Sequence, residues 1–158
     1  MYDESGVTFK QELRAGAVKF GLFCNSHSTT VAEQIAHLGY DWILIDCQHG
    51  PMTTENLSNM LMAVASGGAK SMVRVAAFDD RAGIQQALDL GADGILVPYI
   101  NNAAEAVHAV HCCRYPTAGS RSVYFPMRAT HRKIRRRPYA LRACTCARAR
   151  AHTHTHEN

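Results

Sequence analysis

A carboxylate, an amide and an imidazole follow directly after a short apolar run in the first third of the chain. The run 43–45 reads Ile-Leu-Ile, and Asp46, Gln48 and His49 come next, ahead of a Gly-Pro pair. A buried parallel strand shows this pattern when it delivers polar groups at its carboxyl end. Packing alone does not explain a carboxylate and an imidazole after such a run, so the segment predicts a polar site at the carboxyl end of this strand.

A second polar residue stands where packing alone does not explain it. Arg74 lies between two valines near the end of a later predicted strand, and a cation there needs an anionic partner or a ligand. Ligands bind at the carboxyl ends of strands in parallel α/β folds. We therefore expect Arg74 to share one rim with segment 46–49, with the polar segment 25–27 and with Tyr99.

Each of these residues also has a purely structural interpretation. Arg74 would then form an ion pair, His49 a loop hydrogen bond, and Asp46 a loop cap. Four other histidines are expected at the surface rather than as metal ligands; they are His27, His37, His108 and His111.

Strand and helix patterns alternate four times between residues 19 and 114. Thr53 and Asp79 are expected as helix N-caps. The predicted strands are 19–24, the apolar run 43–45, 71–75 and 94–98. Such alternation implies a parallel sheet covered by helices, either open and doubly wound or closed as a (β/α)8 barrel.

The sequence favours the barrel. A dinucleotide-binding sheet would carry a G-x-G-x-x-G motif after its first strand, and none is present here. A complete barrel needs about 250 residues. The α/β fold predicted for residues 1–131 is therefore an incomplete (β/α)8 TIM barrel of about four β/α units.

The basic charge of the chain is concentrated at its end. The net charge is +4, but residues 1–131 hold nine basic and twelve acidic side chains, whereas residues 132–158 hold eight basic and one acidic. Alternating Ala-Arg and His-Thr pairs in this tail are typical of translated dinucleotide repeats. We expect an aberrant, disordered tail. A nucleic-acid-binding arm is not favoured, because no aromatic residues are interleaved for stacking. A metal site at His152, His154 and His156 is equally disfavoured.

Targeting signals are not visible. The chain has no apolar run of about 18 residues, which a membrane helix needs, and residues 1–19 lack the apolar core of a secretory signal. Six cysteines occur without CxxC spacing, as expected for reduced thiols. These features predict a cytoplasmic protein with no membrane partner.

Several ordered motifs together resemble the HpcH/HpaI aldolase family, whose members include class II, metal-dependent pyruvate aldolases. The resemblance covers about residues 19–130. The segments are 40–51 (Tyr-Asp-Trp-Ile-Leu-Ile-Asp-Cys-Gln-His-Gly-Pro), 72–75 (Met-Val-Arg-Val), 88–98 (Leu-Asp-Leu-Gly-Ala-Asp-Gly-Ile-Leu-Val-Pro), 114–116 (Arg-Tyr-Pro) and 119–123 (Gly-Ser-Arg-Ser-Val). Many members have Gly-Glu-His where this chain has Cys47-Gln48-His49, so one carboxylate is replaced by an amide.

The resemblance implies cleavage of a 4-hydroxy-2-oxo acid to pyruvate and an aldehyde. His49 would be the general base, Arg74 would stabilise the pyruvate enolate, and Asp89 would raise the basicity of His49. Asp89 lies near the carboxyl end of a helix that runs antiparallel to its strand, toward the end of the barrel opposite His49. The implied pair therefore requires His49 of a neighbouring subunit and a homo-oligomer.

The resemblance also implies a divalent metal, Mg²⁺, Mn²⁺ or Co²⁺. In the family a Glu after strand five and an Asp after strand six hold it, and no residue of 1–131 takes their place. The sequence therefore also allows an alternative to an active aldolase. In that alternative the chain is a non-catalytic truncated fragment, or an interaction protein, from a mispredicted or frameshifted gene.

Overall fold

The structure, a computed structural model, describes residues 5–123, so the basic tail lies outside the described residues. A leading helix precedes four strand–helix units. The elements are α1 (Ser5–Arg14), β1 (Gly21–Cys24), α2 (Thr29–Ala36), β2 (Trp42–Asp46), α3 (Thr54–Ser66), β3 (Lys70–Arg74), α4 (Arg81–Asp89), β4 (Gly94–Leu96) and α5 (Ala103–Cys113). The predicted alternation of strands and helices is confirmed. None of the helices in this part of the chain has the length and apolar character needed to cross a bilayer.

The four strands form one parallel sheet in the order β1-β2-β3-β4. A doubly wound sheet reverses its strand order part-way across and carries helices on both faces. This order does not reverse, and residues of α2 to α5 share one buried apolar cluster with the strands. The arrangement is that of a barrel wall, as predicted, and β1 and β4 are the edges of the described sheet.

One face of the sheet is the apolar floor on which the helices pack. Successive strand residues point to opposite faces, and Ile43, Ile45, Val73 and Ile95 all point toward the helices and are buried. Burying each such side chain contributes about 1.5–3 kcal/mol to folding. Helix α3 adds a stripe at helical spacing, consisting of Leu57, Met60, Leu61 and Val64.

The opposite face corresponds to the interior of a barrel. Phe23, Leu44, Met72 and Gly94 lie side by side at one level, because they are register partners across the strands. Met72 leans over the glycine, so a side chain added at position 94 would collide with the methionine sulfur. One level nearer the carboxyl ends, Asp46, Arg74 and Leu96 are partners in the same way.

Side-chain caps fix the starts of α2, α3, α4 and α5 at the carboxyl-end rim of the sheet. Thr53 caps α3 as predicted, and Ser28 and Asn102 cap α2 and α5. The prediction that Asp79 caps the following helix was wrong. Asp80 does so, accepting from the amide of Gly83 at 2.9 Å, because it directly precedes the first helical residue while Asp79 is exposed. Each such cap contributes about 1 kcal/mol and holds a rim loop in place.

Candidate active site

The centre of the rim is a buried ion pair between the last residues of two neighbouring strands. Asp46 ends β2 with 1% of its side chain exposed, and its register partner Arg74 ends β3. The guanidinium Nε donates to Asp46 Oδ1 at 2.9 Å and one terminal nitrogen donates to Oδ2 at 2.6 Å. Such bidentate pairs are among the strongest hydrogen bonds in proteins. Hydrogen bonds from Arg74, opposed by burial, lower the pKa of Asp46 to about 2.

The same carboxylate also shapes the turn that carries the imidazole. Asp46 Oδ1 accepts from the backbone N–H of Gln48 at 2.9 Å and from that of His49 at 3.5 Å. This is the side-chain-to-backbone pattern of an Asx turn. The ion pair and the loop cap considered as structural alternatives are therefore both present, in one carboxylate. They place the cation and the backbone of His49 around a common anion, and the His49 side chain is exposed.

Arg74 keeps donors beyond those bound to Asp46. A guanidinium carries five N–H groups, and the carboxylate engages two of them. The side chain is 19% exposed, and its guanidinium carbon lies 5.5 Å from the centre of the Phe23 ring. The hydrogen bond to Asp46 raises the pKa of Arg74, and the nearby Tyr99 phenol raises it further. Arg74 is thus a fixed cation that faces the rim.

Gln48 joins the β2–α3 loop to the β3–α4 loop, a role that sequence reasoning missed. Its amide nitrogen donates to the carbonyl of Ala76 at 3.4 Å, and the neighbouring backbone N–H of Cys47 donates to the carbonyl of Arg74 at 2.9 Å. A glutamate cannot donate to a carbonyl when ionised. The amide at this position was the available signal, but its partner 28 residues away was not visible in the sequence.

Of the four histidines expected at the surface, His37, His108 and His111 are exposed. His27 is half-buried and follows β1 at the rim, where segment 25–27 was expected. Its ring packs against Gly50, where a Cβ atom would overlap ring atoms. Its carbonyl accepts from the Asn56 amide at 2.8 Å, and its Nδ1 is buried without a hydrogen-bond partner in the described part of the chain. The glycine after His49 therefore makes room for this ring.

Asp89 lies away from the other two predicted catalytic residues. It is the last residue of α4, with 20% of its side chain exposed, and its Oδ1 accepts from Arg121 at 2.5 Å. The helix runs back from the rim for nine residues, about 13 Å at 1.5 Å per residue. Within one chain the structure therefore brings Arg74 and the His49 turn together and leaves Asp89 toward the opposite end of the sheet.

The described residues do not form a metal site. Between residues 5 and 123 no group of three or more His, Cys, Asp or Glu side chains converges on a common point. Both oxygens of Asp46 are hydrogen-bonded to Arg74, and a compact divalent cation such as Mg²⁺ needs several unoccupied oxygen ligands. The donor set on this rim thus does not fit the divalent metal that the sequence resemblance implies.

Comparison with known proteins identifies the family. The profile of the HpcH/HpaI aldolase/citrate lyase family matches residues 19–154. The chain belongs to this family. The match begins where the sequence motifs begin and extends past residue 130 into the basic tail. The resemblance derived from the motifs is confirmed.

Individual relatives agree on the family and on the fold. The 4-hydroxy-2-oxo-heptane-1,7-dioate aldolase of Salmonella dublin is 40% identical over 115 residues, which are 73% of this chain and 43% of that enzyme. The crystal structure of an HpcH/HpaI aldolase/citrate lyase family protein from Burkholderia cenocepacia J2315 superposes with a TM-score of 0.73. It is 33% identical over 81% of this chain and 52% of that one. The crystal structure of the citrate synthase SbnG superposes with a TM-score of 0.66. It is 34% identical over 72% of this chain and 46% of that one.

These likenesses confirm the TIM-barrel class of the fold. The chain spans about half the length of the curated relatives and solved structures that it matches. The parallel sheet with its five helices is therefore the α/β architecture of an HpcH/HpaI-type aldolase, represented by four β/α units.

Proposed function

We propose that this chain supplies the base and the cation of a retro-aldol site that releases pyruvate from a 4-hydroxy-2-oxo acid. The observation that carries the proposal is the double role of Asp46. One buried carboxylate binds the guanidinium of Arg74 and also accepts from the backbone N–H of His49. A proton acceptor and an oxyanion stabiliser must act on one substrate, and the position of the His49 turn and Arg74 at one rim supports these roles for them.

The reaction assigns a proton and an electron pair to each group. The imidazole of His49 takes the proton from the C4 hydroxyl, and the C3–C4 bond breaks as C4 becomes the carbonyl carbon of the aldehyde. The bonding electrons form a C2–C3 double bond, so the C2 oxygen becomes the enolate oxyanion. A remaining N–H of Arg74 donates to that oxygen, where a fixed cation stabilises the developing charge. Protonation at C3 then gives pyruvate.

Asp89 completes the proposed site from a second copy of the chain. A carboxylate that accepts from one ring nitrogen of a histidine favours the tautomer in which the other nitrogen is the base. Since α4 carries Asp89 away from the rim of its own chain, its partner is His49 of a neighbouring copy. The proposed enzyme is therefore a homo-oligomer, and its partner ligand is a small keto acid.

None of the reaction steps assigned to His49 and Arg74 uses the divalent metal. The resemblance implies Mg²⁺, Mn²⁺ or Co²⁺, but the described side chains offer no ligand set. About half of the loops that line a barrel mouth come from β/α units other than these four. We therefore expect the 158-residue chain to turn over more slowly than a complete barrel.

Two assays on the full 158-residue chain separate the two assigned roles. Pyruvate release from a 4-hydroxy-2-oxo acid, with each of the three metals added, requires both base and cation. Exchange of the pyruvate methyl protons in D₂O, followed by proton NMR, requires stabilisation of the enolate but no cleavage. We expect His49→Ala to lose release by about 100-fold or more, because general base catalysis contributes that much.

Arg74→Met should lose both release and exchange, while His37→Ala, an exposed histidine at the end of α2, should change neither. Release that survives His49→Ala would remove the base assignment. Exchange at the buffer rate in the unsubstituted chain, with every metal, would remove the proposed function itself.

A second candidate, an interaction protein without catalysis, is favoured by an exposed aromatic side chain on the edge strand β1. Phe23 is 48% exposed, and β1 is an edge of the described sheet. Exposed apolar side chains beside a strand edge are typical of an interaction surface. This candidate predicts no exchange with pyruvate, together with self-association that Phe23→Asp abolishes in sedimentation measurements.

A further inference from the structure

We propose that Arg121 is a positioning residue for Asp89, holding its carboxylate in the orientation in which it meets His49 of a neighbouring copy. The inference rests on the proposed function, because Asp89 acts there only through that histidine. It adds a residue to which no role has been assigned so far. The argument comes from the segment in which Arg121 lies and from the cost of burying its charge.

One face of α4 binds an extended segment that follows α5. Three side chains spaced four residues apart contact residues 120–122, which we call the strap. Arg81 donates to the carbonyl of Ser120 at 2.6 Å, and Gln85 Oε1 accepts from the backbone N–H of Ser122 at 3.2 Å. Residues at i, i+4 and i+8 lie on one helix face. The third member of the row is Asp89, which accepts from the side chain of Arg121, the residue between Ser120 and Ser122 in the chain.

The position of Arg121 is determined from several directions. Its guanidinium carbon lies 4.6 Å from the centre of the Tyr115 ring, and its backbone N–H donates to the carbonyl of Arg114 at 2.9 Å. The side chain is 4% exposed. The strap and the aromatic ring therefore hold the guanidinium against the end of α4.

Stability alone does not account for a buried cation here. Its Nε is buried without a hydrogen-bond partner among the described residues, so the burial leaves one donor uncompensated. Buried ion pairs are often replaced by apolar side chains without loss of stability. Burying Arg121 with an uncompensated donor costs free energy. Its presence beside Asp89 is therefore better explained by an effect on that carboxylate.

The effect on Asp89 is orientation and charge compensation. The carboxylate stands at the carboxyl end of α4, where the helix dipole disfavours a negative charge, and Arg121 offsets that repulsion. The hydrogen bond engages Oδ1. A carboxylate offers two oxygens with about four acceptor positions, so Oδ2 can accept from an imidazole N–H. With 20% of its side chain exposed, Asp89 can be reached by a second copy.

The test reads the His49 ring directly, without turnover. In the full 158-residue chain, the ¹⁵N chemical shifts of that ring report which nitrogen carries the proton, at a pH where the ring is neutral. We expect Asp89→Asn to change the balance of the two tautomers. Arg121→Met should change it in the same direction by at least about half as much, because a freed carboxylate is less well oriented for its partner.

Two further variants keep the test decisive. Arg121→Lys retains the charge and is expected to fold, but it lacks the planar fork, so it should still show part of the tautomer change. Arg81→Met removes another bond of the strap without touching Asp89 and should leave the His49 ring unchanged. Each variant is first checked for a cooperative unfolding transition.

The outcomes distinguish the inference from the proposed function. If Asp89→Asn changes the His49 tautomer and neither Arg121 variant does, the positioning role is overturned while the pairing of Asp89 with His49 stands. If Asp89→Asn itself has no effect, the pairing assumed in the proposed function is wrong and the inference falls with it. An arginine with a merely structural role would lower the unfolding midpoint and leave the ring shifts alone.

Discussion

Replacing the buried carboxylate by its amide tests the central ion pair. Asp46→Asn keeps the shape of the side chain and an oxygen that can accept from the Gln48 amide, so the turn before His49 should persist. The change removes the negative charge and presents an NH₂ group to the guanidinium of Arg74. Donor then faces donor, and a cation that is 19% exposed loses its counter-ion.

The magnitude follows from the lowered pKa. The pKa of Asp46 falls from the ordinary value of 3.8 to about 2. Because one pKa unit corresponds to about 1.36 kcal/mol, the charged form contributes about 2.5 kcal/mol to folding. Breaking a buried pair by removing one partner costs about 3–5 kcal/mol. Because Arg74 retains some contact with water, we expect a loss of about 3 kcal/mol for Asp46→Asn near neutral pH.

The pH dependence has a definite sign. The folded-state pKa lies below the unfolded-state value, so the stabilisation is fully present above about pH 5 and is lost as the pH falls through about 2. Over this pH range the free energy of unfolding of the unsubstituted chain should fall by about 2 kcal/mol more than that of Asp46→Asn. Carboxylates common to both chains titrate in both, so their contributions cancel in the difference.

Urea unfolding followed by fluorescence measures this difference. Trp42 is the only tryptophan and begins β2, the strand that ends at the substituted residue. With a slope of about 1.5 kcal/mol/M, the midpoint of Asp46→Asn should lie about 2 M lower near neutral pH. Asp79→Asn, at an exposed aspartate, is the matched control and should shift little. A stability difference that stays constant from neutral pH to about pH 2 would refute the assignment of the ion pair.

Two further predictions concern the residues around this pair. Gly50→Ala should destabilise the chain by about 1–3 kcal/mol, because the new methyl group meets the His27 ring. A double variant that also carries His27→Ala lacks that ring, so it should recover part of the lost stability in the same urea assay. Burial, with smaller contributions from the charges of Asp46 and Asp80, raises the pKa of Cys47 to about 11. Near pH 8, iodoacetamide should alkylate Cys47 about 100-fold more slowly than a thiol with an unshifted pKa. Mass spectrometry of the peptide that contains Cys47 measures this rate. A rate equal to that of a free cysteine would contradict the burial of the thiol.

Local sequence patterns predicted the architecture closely. The apolar run 43–45 and the Val-Arg-Val segment are strands because both faces of these segments are packed, and the predicted strand ends lie within about two residues of the observed ones. The convergence of polar residues on one rim follows from parallel strands alone. The cap at Thr53 was likewise readable, since a threonine directly before a helical stripe is a local signal.

Tertiary pairing was beyond the sequence. Nothing local indicates that Arg74 chooses Asp46, 28 positions earlier in the chain, or that Arg121 reaches back 32 positions to Asp89. One carboxylate, Asp46, forms both the ion pair with Arg74 and the cap of the loop before His49, which residue-by-residue reasoning does not reveal. The packing of the His27 ring was hidden for the same reason, because it depends on the absence of a side chain at Gly50.

The ion pair at the rim also selects against misaligned folding. Asp46 and Arg74 face each other only while β2 and β3 keep their present register. A slip of one residue would turn Arg74 toward the helix-covered apolar face and set a valine opposite the carboxylate, because side chains alternate between faces. Both charges would then be buried without a partner, at several kcal/mol each. The ion pair that holds the proposed site together therefore also disfavours a sheet in which β2 and β3 pair in the wrong register.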